Sequence, residues 1–190
     1  MDMRKRVYLL LMMFMLSVLF NDMSARRFSL STNLLDYARL GTLNLDASYA
    51  VSRHWSVAAG ARYNPFTFRD DDPEKQFQYR QQSYSVGARW WLWHTWSGWW
   101  FAGKARYQEY NVGGLGTRET EEGDRFGAGI YAGYTHMLTP YLNMEFGLGF
   151  WGGKSWYDRY ACPNCGVTLD HGQEYFVRPD DFMISLVYVF

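Results

Sequence analysis

Trp99-Trp-Phe-Ala-Gly-Lys-Ala-Arg-Tyr-Gln108 alternates with period two. Trp99, Phe101, Gly103, Ala105 and Tyr107 fall on one face; Ala102, Lys104, Arg106 and Gln108 fall on the other. Side chains along a strand point alternately to the two sides of a sheet, so the stretch reads as a strand with one bulky, uncharged face and one cationic face. A soluble barrel puts its large apolar groups inside and its polar groups outside. A barrel in lipid reverses that order, with an apolar outer band around a polar interior. Which of the two applies depends on whether the rest of the chain repeats the pattern.

It does. Period-two alternation recurs over 28–34, 43–51, 55–63, 84–92, 126–134, 142–150 and 182–190. In each, large apolar residues such as Leu45, Val57, Val86, Ile130, Phe146 and Ile184 share a face. The opposite face carries Gly, Ser, Asn, Asp, Glu or Arg, except that Met183, Val187 and Val189 make the last strand's second face less polar. Together with 99–107 this makes eight strands, most of about ten residues, the length that crosses a bilayer at a tilt. The predicted fold is all-β, an eight-stranded antiparallel up-and-down transmembrane β-barrel over residues 26–190. The even count permits closure, and closure matters because an open edge in lipid leaves backbone groups unpaired.

Connections alternate in length. Ser52 to His54, His94 to Gly98 and the segment around Thr139-Pro140 are tight. Asn64 to Gln78, Asn111 to Gly123 and Gly152 to Asp181 are long, and only Asp36 to Gly41 is a short outer loop. Short turns within and long loops outside fit a barrel with both termini in the periplasm. Trp55, Trp93, Trp96, Trp99 and Tyr141 gather at the short-turn ends. Tyr63, Tyr107, Tyr110, Phe150, Trp151 and Phe182 gather at the long-loop ends. Two aromatic girdles are expected at the two membrane interfaces.

The composition agrees. The chain has 190 residues with 9 Trp, 15 Tyr, 13 Phe and 18 Gly, and a formal net charge of zero. A balanced charge gives no footprint for a nucleic-acid partner. Arg4, Lys5 and Arg6 precede the apolar run Val7 to Phe20, and Ser24-Ala25 closes it with small residues. That order reads as a secretory signal peptide over residues 1–25. Export would place the mature chain in the outer membrane of a Gram-negative cell.

Several residue groups could carry chemistry. Asp46 and Glu145 would share the lumen with Arg62, Arg89, Lys104 and Arg106 as an ion-pair network filling a narrow barrel, because charges in low dielectric must be paired. The excess of cations leaves a narrow anion pathway as the alternative. Cys162-Pro-Asn-Cys165 reads first as a local disulfide in an oxidising compartment. Half a zinc site, with His171 as a third ligand, and a thioredoxin-like pair are the weaker readings. The acidic runs Asp70 to Glu74 and Glu119 to Asp124 read as solvated loops, with Ca²⁺ or Mg²⁺ binding as the alternative. An enzyme acting on lipid A or peptides would need a pairing such as Ser155 with His171 and Asp158 or Asp170, which the spacing does not favour. No catalytic residue, metal site or cofactor is expected.

Met183-Ile-Ser-Leu-Val-Tyr-Val-Phe190 ends the chain on an aromatic, with Tyr188 two residues before it. It looks like the terminal signal that the barrel-assembly machinery reads on outer-membrane barrels. Ser29-Leu-Ser-Thr-Asn-Leu-Leu35, Trp55-Ser-Val-Ala-Ala-Gly60 and Ile184-Ser-Leu-Val-Tyr188 together resemble a family of small outer-membrane barrels from Bacteroidetes that has no assigned activity. The resemblance implies location and fold. Members are often encoded beside fimbrial and outer-membrane assembly genes, which implies at most a role in anchoring surface structures. The expected partners are outer-membrane lipids and lipopolysaccharide, the assembly machinery during biogenesis, and a fimbrial surface protein or a glycan.

Overall fold

The computed structural model describes residues 26–68, 76–114, 119–162 and 167–190, without the side chains of Asp180 and Asp181. The signal-peptide reading, the run Asp70 to Glu74 and Cys165 with its expected bridge to Cys162 lie outside the described residues.

The strands are β1 (Phe28–Asn33), β2 (Leu43–Ala50), β3 (Trp55–Asn64), β4 (Thr67–Phe68), β5 (Phe77–Trp91), β6 (Gly98–Gly113), β7 (Thr120–Met137), β8 (Leu142–Tyr160) and β9 (Thr168–Val189). One short helix, α1 (Leu34–Ala38), follows β1. Each long strand pairs antiparallel with its neighbour in sequence, β3 pairs directly with β5, and β1 pairs with β9. The result is a closed eight-stranded antiparallel barrel, with two-residue β4 as an outrigger on β5. Closure is sealed by reciprocal backbone bonds between Phe28 and Phe190, at 3.1 and 2.9 Å.

The wall is uneven. β1 has 6 residues and β2 has 8, whereas β7, β8 and β9 have 18, 19 and 22. Much of what the sequence suggested were long loops, 111–123 and 152–181, is therefore strand. Gly152 and Gly153 do not form a turn; they pair with Ala128 and Gly127 and with Val177 and Phe176. α1 takes in Leu34, expected at the end of the first strand, and the start of the short outer loop expected from Asp36 to Gly41. Asn33 caps it, its side chain accepting a bond from Leu35 N at 3.2 Å, a role suited to a short polar side chain at a helix start.

Side-chain parity follows the sequence pattern. Leu43, Leu45, Val57, Val86, Phe101, Phe146 and Leu148 are exposed on the outside, and Ile130 is 75% exposed. Ser29, Asn44, Ser56, Arg89, Lys104, Arg106 and Glu145 are buried inside. The interior has two zones. Toward the short turns, Ala50, Trp91, Trp96, Trp100, Ala102, Tyr131, Met183, Val187 and Val189 form one apolar cluster. Met183, Val187 and Val189, anomalous in the sequence, are that plug. Trp96 was expected in the girdle. It turns inward instead, at φ +71, packs edge-on against Trp91 at 5.6 Å and donates its indole N–H to Arg26 O at 3.0 Å. Tyr110 and Trp151, expected in the other girdle, are also buried.

Candidate functional site

The charged part of the lumen begins above the plug. β5 and β8 bring Arg89 and Glu145 together at 2.9 Å, with Glu145 only 1% exposed. Thr135 donates a further bond to Glu145 at 3.1 Å, and the Arg89 guanidinium lies over the Trp100 ring at 4.7 Å. A buried carboxylate needs such a set of donors, because removing it from water is costly.

The rest of the expected network is arranged differently. Arg62 pairs with Asp36 of α1 at 2.9 Å, not with Asp46. Asp36 is a residue the sequence reading left in a loop. Asp46 faces neutral neighbours: its register partners are Ser31 and Gly60, and it forms no ion pair among the described residues. Lys104 lies over the Tyr131 ring at 4.6 Å and Arg106 over Trp151 at 5.1 Å, each within cation–π range.

Higher still, one cluster escaped the sequence reading. Arg125 lies over the Tyr110 ring at 3.6 Å and over Phe176 at 5.9 Å, and reaches Glu121 at 3.2 Å. Glu121 also accepts from Arg159 at 3.1 Å and from the Tyr110 hydroxyl at 2.8 Å. Burial alone would raise the Glu121 pKa; the Tyr110 and Arg159 hydrogen bonds and the charges of Arg125 and Arg159 outweigh it and hold the carboxyl below its ordinary value. Phe176 meets Trp151 edge-on at 4.6 Å. Phe176 faces inward because β9 carries a bulge opposite Gly147 and Gly149, and one extra residue reverses the side-chain parity above it. The period-two reading of residues 182–190 could not extend through that reversal.

A cavity of about 140 Å³ lies in this upper lumen, among Asp36, Arg39, Arg62, Arg106, Arg125 and Arg178. Beneath it, Trp91 and Trp100 are wholly inaccessible, which leaves the anion-pathway reading without support at the plug. A second, shallower depression of about 650 Å³ lies near the tops of β5, β6 and β7, and Tyr63, Arg80, Tyr107, Glu109, Glu122 and Asp124 help to line it. Glu109, Glu122 and Asp124 already have protein donors. The Tyr107 hydroxyl bonds Glu109 and Asp124, both at 2.9 Å, and Asn111 and Tyr160 donate to Glu122 at 2.8 and 2.9 Å. Among the described residues no group of three potential ligands is placed to hold a metal ion.

The structure does not assemble the Ser155–His171 pair. Ser155 is fully buried in the lumen, beside Tyr110 at 3.2 Å and Arg125 at 3.3 Å, whereas His171 is exposed on β9 opposite Asp158. At the opposite end, Phe190 stacks on Phe28 at 6.2 Å and lies 6.0 Å from the Tyr188 ring, at the strand seam that closes the barrel.

No curated protein matches the chain. A family model described as a protein of unknown function, DUF3575, matches residues 10–190, and the chain belongs to that family.

Proposed function

We propose that the protein is an integral outer-membrane barrel, exported through a cleaved leader over residues 1–25, which presents its raised β7–β8–β9 wall to a partner at the cell surface. The observation that carries this reading is the inverted order of its side chains. The outside exposes Leu43, Leu45, Val57, Val86, Ile130 and Leu148, while the inside buries Arg89, Lys104, Arg106 and Glu145. In water such an arrangement would expose a continuous apolar belt and bury charges at a desolvation cost. In lipid the same arrangement is the stable one. An apolar depression of about 540 Å³ on the outer face, lined by Trp90, Phe101, Ile130 and Phe150 among others, suits contact with acyl chains. Trp55, Trp93, Trp99 and Tyr141 at one end and Tyr63, Phe150 and Phe182 at the other are exposed where interfacial girdles belong.

The resemblance to Bacteroidetes outer-membrane barrels and the terminal aromatic Phe190 support the same location. Lipopolysaccharide and the barrel-assembly machinery would then be obligatory contacts. Long elements raised on a rigid scaffold are where binding residues concentrate, so the wall is the natural place for a fimbrial or glycan contact. A disulfide between Cys162 and Cys165 is proposed for the same exported protein.

Membrane fractionation with protease shaving of intact cells tests the reading. Outer-membrane fractionation with cleavage confined to the wall is expected. A leaderless protein that stays monomeric in plain buffer without detergent overturns it. Surface crosslinks that disappear when the β8–β9 hairpin is shortened are expected for the contact role; crosslinks that persist oppose it.

A further inference from the structure

We propose that the upper edge of β9 is a strand-addition site, which takes an extended segment of a partner protein as one more strand of the raised wall. This rests on the reading that the wall meets a partner at the cell surface, and it names the element and the kind of partner.

β9 runs from Thr168 to Val189, but β1 covers its far edge, the one away from β8, only from Ser185 to Val189. One step higher that edge is sealed by a side chain. Asn33 accepts from Ile184 N at 3.1 Å and donates to Phe182 O at 3.4 Å. Above this, β9 pairs with β8 alone among the described residues. Pro179 pairs with Phe150 of the loop-end girdle, so the stretch from His171 to Val177 stands beyond the apolar belt. Sheets commonly shield such edges with charge, proline or a covering element. Here the seal stops where the belt stops.

Which backbone groups face the open edge follows from the ladder. Phe190 and Phe28 exchange both bonds, while Val189 N donates to Tyr141 O at 2.8 Å. Even-numbered residues of lower β9 therefore turn their N–H and C=O to β1, and odd-numbered ones to β8, as an antiparallel ladder requires. The bulge between Met183 and Asp180 reverses that order, so above it the odd-numbered residues face the open side. Two observations agree. Pro179, which has no N–H, falls at an open position, where no ladder bond is lost. The His171 N–H, another open donor, is taken by the Asp170 carboxylate at 2.9 Å. Between them, Gln173, Tyr175 and Val177 turn their N–H and C=O to a side where no described strand lies. Tyr175 and Val177 have cross-strand neighbours on β8, Lys154 and Gly152, and none on the other side. They are 85% and 81% exposed, more than any other large apolar or aromatic side chain described.

The occupant is an extended peptide. Free N–H and C=O groups recurring at every second residue match the backbone of another strand, and a glycan has no such repeat. Residues 163–166, between β8 and β9, are too few to run back along this edge. A second barrel upright in the same membrane does not fit. Its β9 would run in the same sense along the membrane normal, and strands tilted by about 35–45° would cross at about 70–90° instead of pairing. The segment that fits carries apolar residues at alternate positions, to pair with Tyr175 and Val177.

The test uses the mature barrel folded in non-ionic detergent, with backbone amide exchange read by NMR. In the free barrel Gln173, Tyr175 and Val177 should exchange fast, and Glu174 and Phe176, bonded to β8, slowly. The probe is a blocked peptide of about ten residues, alternating valine and threonine and methylated on every second amide nitrogen so that one edge alone can pair. At up to millimolar peptide the three fast amides should slow saturably, by about tenfold or more. Tyr175→Pro removes an open-edge donor without touching the β8 ladder and should weaken binding about tenfold or more. Val177→Pro does the same and serves if the first variant misfolds. Tyr175→Thr keeps the donor and should weaken binding by less than about fivefold. Three amides that do not slow, equal binding by a peptide methylated on every amide, or equal losses in the threonine and proline variants overturns the proposal. So does a dimer in detergent that Tyr175→Pro dissociates, which would put a second copy on the edge. Because the assay needs no membrane, its failure leaves the outer-membrane reading standing, and failure of membrane fractionation leaves the strand-addition result standing.

Discussion

Glu145 and Glu121 show how two carboxylates in one lumen have opposite relations to water. Glu145 is buried with Arg89 at 2.9 Å and Thr135 at 3.1 Å. Glu145→Ala strands the Arg89 charge above the plug, and a loss of about 3–5 kcal/mol is expected. Denaturant unfolding from vesicles measures it, and replacing both partners by apolar residues should recover most of the loss. Glu121 lies above the exposed apolar belt, half-buried, and its carboxyl is held below the ordinary value of 4.5. A depressed folded pKa means the carboxylate is worth more in the folded state than in the unfolded one. Its contribution is fully present above the ordinary value and is lost as pH falls through the lower folded value. Protection of the raised hairpin from proteolysis should therefore fall as pH drops below that ordinary value of 4.5, and Glu121→Gln should remove that pH dependence. A variant that keeps the wild-type profile would assign the transition to another group.

At the scale of elements, glycines on β7 and β8 make room for the interior aromatics. A Cβ at Gly149 would overlap the Tyr131 ring, and one at Gly133 would overlap Trp100. Gly149→Ala should cost about 1–3 kcal/mol through overpacking, and Tyr131→Leu should suppress that cost in a double-mutant cycle of thermal unfolding. Additive effects would mean the two do not touch. These elements also mark how far the fold could be read from sequence. Period-two alternation located all eight barrel strands and their parity, because each spans a two-sided surface with opposite solvents. It failed at Trp96, whose residue type suits an interface but whose left-handed backbone turns it inward. It failed again above Met183, where the bulge reverses which residues of β9 face the lumen. Asp36 was missed because a five-residue helix leaves too short a pattern to detect. Of the charged site, only Arg89 and Glu145 were both legible and brought together. The arginine-lined cavity depended on Arg125 and Arg178, residues that alternation placed in or beside loops.

Considered whole, the molecule divides its interior by height and its surface by depth. The plug of Trp91, Trp96, Trp100 and Val187 gives the short-turn half an apolar core of its own, so closure does not rest on strand pairing alone. The charged half above is held by Arg89–Glu145, Arg62–Asp36 and the stacked arginines, which fill a lumen too narrow for large solutes. Outside, the belt has a middle and an edge. Phe146 is exposed on β8 midway between Tyr141 and Phe150, near its centre, while Leu43 sits at the loop end of β2 opposite Tyr63. If lipid is the solvent of that belt, the cost of a charge must depend on depth. Phe146→Arg should destabilise the barrel by about 2–4 kcal/mol in vesicles, and Leu43→Arg by about 0–1 kcal/mol. Reversible denaturant unfolding in lipid vesicles gives both numbers. A detergent control separates lipid burial from simple loss of packing, since a side chain that packs against little protein loses little there. Equal costs at the two positions, or no cost at Phe146 in vesicles, would mean that the belt meets something other than a bilayer.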